Sequence, residues 1–374
     1  MFGEYDGRKT LISTFFLFPP PFMFPLFIGG ITSKVAVKHY PGRVFVYLGF
    51  GKRGVDMHSC RSATVVMIIL TASLSLVGCG LGRRTALIDE PEVTVVVNTE
   101  TGETRTMPIE EYIKGVVAGE MGRSPTAEGQ EQDWPENAYA AQAILARSFT
   151  MEYLSRHPDG HISTDVEEAQ AYKPENITPI ISKAVDKTRG EVLMDKDTYV
   201  TTWFHSYSGG RTATAAEGLN YTKPENHTVS VELPANEYVP EDKKRWTATF
   251  SLDEITKSLA DHGVNVGQVK DIRINQRGPS GRVTEFIIIG TDGQTSMHGA
   301  DFRLAVGVER MMSTLVDQDG LTVDGQTVTF RGMGFGHGVG MSQWDAYKMA
   351  KEGRSPEEIV THFFRNVSLQ KRWK

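Results

Sequence analysis

The stretch IEEYIKGVVAGEM, residues 109–121, sets Ile109, Tyr112, Ile113, Val116, Val117, Glu120 and Met121 at helical spacing, which predicts a helix with one apolar face. Pro108 is placed to precede its first turn. Glu120 lies seven positions after Ile113, so its carboxyl falls on the apolar stripe of its own helix. Burial there disfavours the ionised form and raises the pKa, the condition a carboxylic acid needs to donate a proton near neutral pH. Position alone leaves a second reading open, a Glu at the frayed helix end before Gly122 with its carboxylate in water.

Upstream, Val93 to Val97 and Thr104 to Met107 flank Asn98 and Gly102 and predict a β-hairpin. Downstream, Gly122 to Glu136 is polar and broken by Gly and Pro, hence a loop, and NAYAAQAILARSFTMEYL (137–154) is an alanine-rich helix whose small side chains allow close approach. Further helices are expected over 178–188, 251–260, 299–312 and 342–351. Strands are expected over 191–194, 198–204, 247–250, 269–275, 283–290 and 327–330. Helices and strands do not alternate regularly, which predicts an α+β fold of mixed helices and antiparallel strands, as one large domain or two intimately packed ones.

The chain has 374 residues, 40% hydrophobic and 23% charged, a composition that excludes a wholly disordered, collagenous or polytopic membrane protein. Residues 1–78 carry eight basic and three acidic side chains, leaving 32 against 43 in the rest, a net charge of −11. So anionic a body is a poor partner for nucleic acid. The cysteines, Cys60 and Cys79, both precede the expected globular part, so no disulfide framework or thiolate metal cluster can form downstream.

Residues 57–79, MHSCRSATVVMIILTASLSLVGC, begin with Met57, carry Arg61 and run apolar and small to Cys79, the grammar of an export signal over 57–78. Leu76-Val77-Gly78-Cys79 resembles the lipobox of bacterial lipoproteins, which implies lipidation of Cys79 and anchoring to the outer face of the cytoplasmic membrane. An uncleaved signal anchor is the alternative. Residues 1–56 are expected to be a non-native extension from a mis-assigned start, because Pro19-Pro20-Pro21 and Pro25 break the apolar run. The remaining divisions are a linker at 79–92, a domain over 93–366 and a basic tail at 367–374.

The blocks IEEYIKGVVAGEM and NAYAAQAILARSFT, then Gln170-Ala171-Tyr172, GEVLMDKDTYVTTWFHSYSGGRT (190–212), DFRLAVG (301–307) and GFGHGVGMSQWDA (334–346), taken in this order, resemble the stage II sporulation protein D family, which includes amidase enhancers. The resemblance implies a lytic transglycosylase acting on peptidoglycan glycan strands stripped of stem peptides, in sporulation-linked cell-wall remodelling. It makes Glu120 the catalyst. A lone carboxyl suffices for that reaction, since it protonates the glycosidic oxygen and then takes the proton of the muramic C6 hydroxyl as that oxygen closes on C1. A hydrolytic glycosidase normally needs a second carboxylate at roughly 5 to 9.5 Å; Asp133 and Glu136 are near in sequence but lie in the loop.

Arg147, on the second helix, is a candidate to hold a sugar hydroxyl or the lactyl carboxylate, or to pair with Glu120; packing of its stem on the core is the alternative. His205, Ser206 and Ser208 match the family's His-Ser-x-Ser-Gly-Gly block and suit hydrogen bonds to a neutral glycan, although Arg211-Thr212-Ala213 departs from the family's usual continuation. Some members hold zinc near this block through a Cys and a His; with no Cys here, no metal or other cofactor is expected. In Gly332 to Gly340 every second residue is glycine, so an extended backbone would have one bare face for a sugar ring or another chain segment. His337 on the other face is a candidate binding residue, as is Gln343, while Ser342-x-x-Asp345 reads as a helix cap. Trp344, Asp345, Gly122 and the long 122–136 loop depart from the family's pattern.

Two other classes stay open. One is a non-catalytic glycan-binding scaffold that recruits or enhances a peptidoglycan amidase, as the amidase-enhancer relatives suggest. The other is a serine hydrolase using Ser206, Ser208 or Ser342 with His205 or His337, for which no Gly-x-Ser-x-Gly elbow is present.

Overall fold

A computed structural model of the chain describes residues 25–28, 31–40 and 43–50, of which only the backbone is considered, and residues 87–98, 101–125, 130–157, 160–164 and 169–374. The export signal at 57–78 and Cys79 lie outside them. The chain forms two compact units, residues 1–83 and 84–374. In the first, β1 (Pro25–Ile28), β2 (Ile31–Tyr40) and β3 (Arg43–Phe50) make an antiparallel meander.

The second unit is α+β, as the irregular alternation of elements predicts. It opens with the hairpin β4 (Glu92–Asn98) and β5 (Glu103–Pro108), in which Val93 faces Met107 and Val95 faces Arg105. Val93 and Val95 are buried while alternate residues face outward, the period of a half-covered strand. Helix α1 (Ile109–Glu120) follows directly from Pro108, and its apolar stripe is buried as the spacing predicts. The pair β6 (Ser124–Pro125) and β7 (Glu131–Gln132) closes the 122–136 loop on itself.

Helix α2 (Glu136–Arg156) is the central rod. Ala138, Ala140, Ala141, Ala143 and Ala146 are all fully buried, so it is enclosed on every side rather than amphipathic. Around it pack α1, α3 (Pro179–Lys187), β9 (Glu191–Asp195), and the C-terminal helices α8 (Gln343–Lys351) and α9 (Pro356–Phe363). Short strands complete this half: β8 (Ile162–Ser163) lies parallel to β4, and β10 (Thr198–Tyr199) and β19 (Ser368–Lys371) flank β9. The C-terminal tail therefore enters a sheet through Ser368–Lys371, and Trp373 beyond it is fully buried.

A second hydrophobic core fills residues 246–330. Strands β12 (Arg245–Ser251), β16 (Val316–Asp324) and β17 (Thr327–Met333) form one antiparallel sheet in the order β12-β17-β16. Strands β13 (Val269–Arg277), β14 (Val283–Gly290) and β15 (Gly293–His298) form another. Helices α4 (Ala215–Leu219), α5 (Glu241–Lys244), α6 (Leu252–Asp261) and α7 (Gly299–Val306) accompany them. Helix α7 ends at Val306, six residues before the limit expected at Met312, because Gly307 with φ of 100° leaves the helical region. The expected strand 198–204 is two pieces, β10 and β11 (Phe204–His205). Among the described residues no helix is long and apolar enough to cross a membrane.

Strand β11 pairs in parallel with β18 (Met341–Ser342), His205 opposite Ser342, and the pairing is extended by bridges from Tyr207 to Phe335 and from Ala213 to Val339. This brings the His-Ser-Tyr-Ser-Gly-Gly segment against the glycine-rich one.

Candidate active site

Helix α1 carries Gly115 and Gly119 one turn apart on the side where residues 171–173 lie. A Cβ on Gly119 would stand 2.5 Å from the Ala171 carbonyl oxygen, and one on Gly115 would stand 2.2 Å from the Tyr172 ring. With only hydrogen at both positions, the segment lies flat on the helix. Tyr172 stacks on Tyr112 at 5.4 Å, and the Lys173 amide donates to the Gly115 carbonyl at 3.0 Å. The Ala171 amide is thereby delivered to Glu120, donating to Oε1 at 2.7 Å. Burial raises the Glu120 pKa to about 7 from 4.5, against the opposing pull of that N–H. Glu120 is half-buried, at the edge of a cleft of about 1000 Å³, so the exposed-end reading of the sequence does not hold.

The cleft is also lined by Phe204, His205, Ser206, His337, Gln343 and Trp344, which joins four of the expected binding residues, His205, Ser206, His337 and Gln343, to Glu120. Phe335 and Trp134 add aromatic surface, with Trp134 4.7 Å from Trp344, ring centre to ring centre. Neither of the two acids near in sequence is a partner for Glu120, and Glu136 is the first residue of α2 and not part of the loop. Asp133 pairs with Arg123 at 3.5 Å, and Glu136 pairs with Lys183 at 2.7 Å and Lys187 at 3.1 Å. Asp242 is the other acid on the cleft wall, and it is solvent-exposed.

Two expected binding residues lie elsewhere. Arg147 is fully buried: Nε and Nη2 form a fork on Glu110 at 2.8–3.1 Å, Nη1 donates to Thr188 and Nη2 also to the Val185 carbonyl. Glu110 in turn accepts from the Gly190 amide at 3.0 Å and from Trp373 Nε1 at 2.8 Å. Each guanidinium nitrogen of Arg147 is thus bonded inside the core, and the residue does not line the cleft, so it is not available to a sugar. Ser208 is likewise fully buried, its hydroxyl donating to Asp345 Oδ2 at 2.9 Å. Ser342 precedes α8, but its hydroxyl donates to Asp345 at 2.5 Å instead of capping the backbone. These bonds, with neither serine bonded to a histidine, remove the basis for a serine nucleophile at Ser208 or Ser342.

The glycine-rich segment is not an extended strand beyond Met333. Gly334, Gly336, Gly338 and Gly340 all take positive φ, 70° to 106°, so the alternation serves a looped backbone that only glycine adopts without strain. Close approach also requires them, since a Cβ on Gly338 would meet the Arg282 guanidinium at 2.3 Å. This loop sets the His337 ring 5.6 Å from His205.

His205 Nδ1 faces the Val339 carbonyl at 3.1 Å, which assigns its proton to that nitrogen and leaves Nε2 buried without a partner. His337 Nδ1 accepts from the Val339 amide at 3.0 Å, and the ring also bonds the Phe204 backbone. Burial, then the Arg303 and Arg282 charges, depress His337 to about 3; burial, His337 and Arg282 hold His205 well below its usual range. This donor set does not fit a zinc ion: it is two imidazoles, one with both nitrogens engaged, beside two guanidinium groups. Among the described residues no cluster of three His, Cys, Asp or Glu is placed to hold a metal.

A family profile described as "Stage II sporulation protein" matches residues 97–194, and a domain of unknown function matches residues 215–340. The stage II sporulation protein D of Bacillus amyloliquefaciens is 30% identical over 307 residues, 77% of this chain and 81% of that protein. This chain belongs to the stage II sporulation protein D family. An uncharacterized protein of Brachyspira hyodysenteriae is also 30% identical, over 70% of this chain and 66% of its own length. The amidase enhancer of Bacillus subtilis is 24% identical over 69% of this chain and 40% of its own. The two profile matches follow the two cores of the fold, and the cleft draws residues from both matched segments.

Proposed function

We propose that this protein is a lytic transglycosylase that cuts peptide-stripped peptidoglycan glycan strands in sporulation-linked cell-wall remodelling. The observation that carries the reading is the Glu120 carboxyl, raised to about 7 at the edge of an aromatic-lined cleft. At that pKa a large share of the protein holds the proton at neutral pH, as a general acid requires. Glu120 gives this proton to the glycosidic oxygen, the C1–O bond breaks, and the leaving sugar departs with a new hydroxyl. The muramic C6 oxygen then closes on C1 and its proton returns to the Glu120 carboxylate, giving a 1,6-anhydro end without consuming water. The Ala171 amide stabilises the carboxylate between the two transfers. Phe335, half-buried on the cleft wall, offers a ring on which a sugar packs, while Trp134 and Trp344 stack behind the wall as part of the core.

Incubation with peptide-free strands is expected to release 1,6-anhydro-muramic ends, seen by mass spectrometry, and Glu120→Gln to slow this by about 10²-fold or more. Equal cleavage by the variant would remove Glu120 from the mechanism. The similarity to an amidase enhancer favours a second reading, a glycan-binding scaffold for a peptidoglycan amidase. Binding of strands with no new ends from either protein would select it.

The same proposal places the protein outside the cytoplasm, held at the membrane through lipidated Cys79. Labelling with palmitate that persists in Cys79→Ser would refute the anchor.

A further inference from the structure

Resting on the glycan-cleaving reading above, the geometry points to Arg303 as the residue that recognises the free lactyl carboxylate of peptide-stripped muramic acid. Arg303 lies in the last turn of α7 and lines the same cleft as Glu120. Its guanidinium is held by two backbone carbonyls, Nε on Met311 at 2.8 Å and Nη2 on Val308 at 3.3 Å. Nη1 has no such bond, and among the described residues the group forms no ion pair.

Its charge is therefore positioned, with no carboxylate in ion-pair contact among the described residues. Burial lowers the Arg303 pKa; Glu309, the acid that opposes this, is solvent-exposed, and Arg303 in turn depresses Arg282 and His337. Other cations on the wall are differently employed: Arg123 is paired with Glu131 and Asp133, and Lys243 lies over the Phe335 ring at 4.8 Å. A fixed guanidinium with a free donor, partly desolvated, is a carboxylate site in waiting.

Its surroundings match the rest of the lactyl group. Ala300, Leu304 and Val308 line the cleft beside Arg303, and Leu304 is 56% exposed although apolar. A lactyl ether presents one methyl and one carboxylate on the same carbon, so an apolar lip beside a cation suits both. With the stem peptide attached, that carboxylate is an amide, which has no charge for Arg303 to meet and carries added bulk. Selection of stripped strands would follow from this one contact.

The test uses the full chain carrying Glu120→Gln, so that binding is read apart from cutting. Its binding is measured to peptide-free oligosaccharides with the lactyl groups either free or converted to methylamides. The free form is expected to bind roughly 10- to 100-fold tighter, the range of a charged hydrogen bond. Adding Arg303→Gln should bring the free form down to the methylamide level without changing the latter; Arg303→Lys should restore part of the difference, and Lys243→Gln should leave the ratio intact. Equal binding of the two oligosaccharides by the parent, or equal weakening of both by Arg303→Gln, would overturn the assignment and mark Arg303 as a support of the 307–311 loop. Discrimination that persists while the unmodified protein yields no anhydro ends would keep Arg303 and remove the transglycosylase reading.

Discussion

The Ala171 amide donates a 2.7 Å hydrogen bond to the Glu120 carboxylate, and the room for it is the missing side chain of Gly119, one residue earlier on α1. The pKa of the acid is set by two opposed causes, burial upward and this N–H downward.

Gly119→Ala separates the two. The helix gains about 1 kcal/mol of intrinsic propensity, but the new methyl meets the Ala171 carbonyl oxygen at 2.5 Å and pushes the segment off. With the N–H withdrawn, the carboxyl titrates higher than in the parent. The basic limb of the pH–rate profile is therefore expected to move upward while the rate at its plateau falls. An unchanged profile would show that Ala171 does not control the acid.

The raised acid also costs stability above neutrality. Glu120 binds its proton in the folded state up to about pH 7 and in the unfolded chain only up to 4.5. Between those values the native state holds the extra proton, so the contribution is complete below pH 4.5 and is lost as pH rises to 7. Glu120→Gln should leave Tm nearly unchanged at pH 4.5 and raise stability at pH 8.5 by about 1–2 kcal/mol, a figure reduced for the solvent-facing part of the group. Thermal melts at the two pH values decide it.

What could be read in the sequence was what lies close along the chain. The period of Ile113, Val117 and Glu120 gave both the helix and the buried face of the acid, because neighbours one turn apart determine it. Arg147 was misleading for the converse reason. Its partner Glu110 is 37 residues away, and Trp373, which completes the site, is 263 residues from Glu110. The seat for Ala171 carried a signal, two glycines four apart on one helix, but no local rule says which segment they admit. Strand β16 has no clear sequence signal, because VDQDGLTVD buries only Val316 and Gly320 and its first half carries no apolar alternation. In the 332–340 segment the glycine period was visible and its backbone was not, since both an extended and a looped chain use glycine at every second position.

Arg147→Met is expected to be a stability variant and not a substrate-binding one. It leaves the Glu110 carboxylate buried with its charge unmatched, a loss of about 3–5 kcal/mol, read as a lower urea midpoint. Where the variant is still folded, its KM for glycan should equal that of the parent. A raised KM at unchanged stability would return Arg147 to the cleft.

The two cleft histidines should behave as neutral groups. Burial and the flanking arginines hold His337 at about 3 and His205 well below 6.5, so neither gains a charge between pH 5.5 and 8. Nitrogen NMR of labelled imidazoles should show two fixed and opposite tautomers, the proton on Nδ1 in His205 and on Nε2 in His337. A titrating ring in that interval would contradict the hydrogen-bond assignment.

Gly338→Ala tests whether the glycine loop is held by Arg282. Gly338 has φ +84° and its added Cβ would meet the guanidinium at 2.3 Å, whereas Gly353 has φ +87° with nothing within 4 Å. The two substitutions share the backbone strain of a non-glycine residue at positive φ, about 1–3 kcal/mol, and differ in the collision. Arg282 cannot retreat freely, because it is fully buried and holds the Arg211 carbonyl at 2.8 Å and the Ser208 carbonyl at 2.7 Å. Denaturant midpoints should therefore fall further for Gly338→Ala than for Gly353→Ala, by about 1–3 kcal/mol of overpacking. Only the former should also weaken glycan binding, since His337 rides on that loop. Equal losses would mean that the arginine yields and that the loop is positioned by its backbone alone.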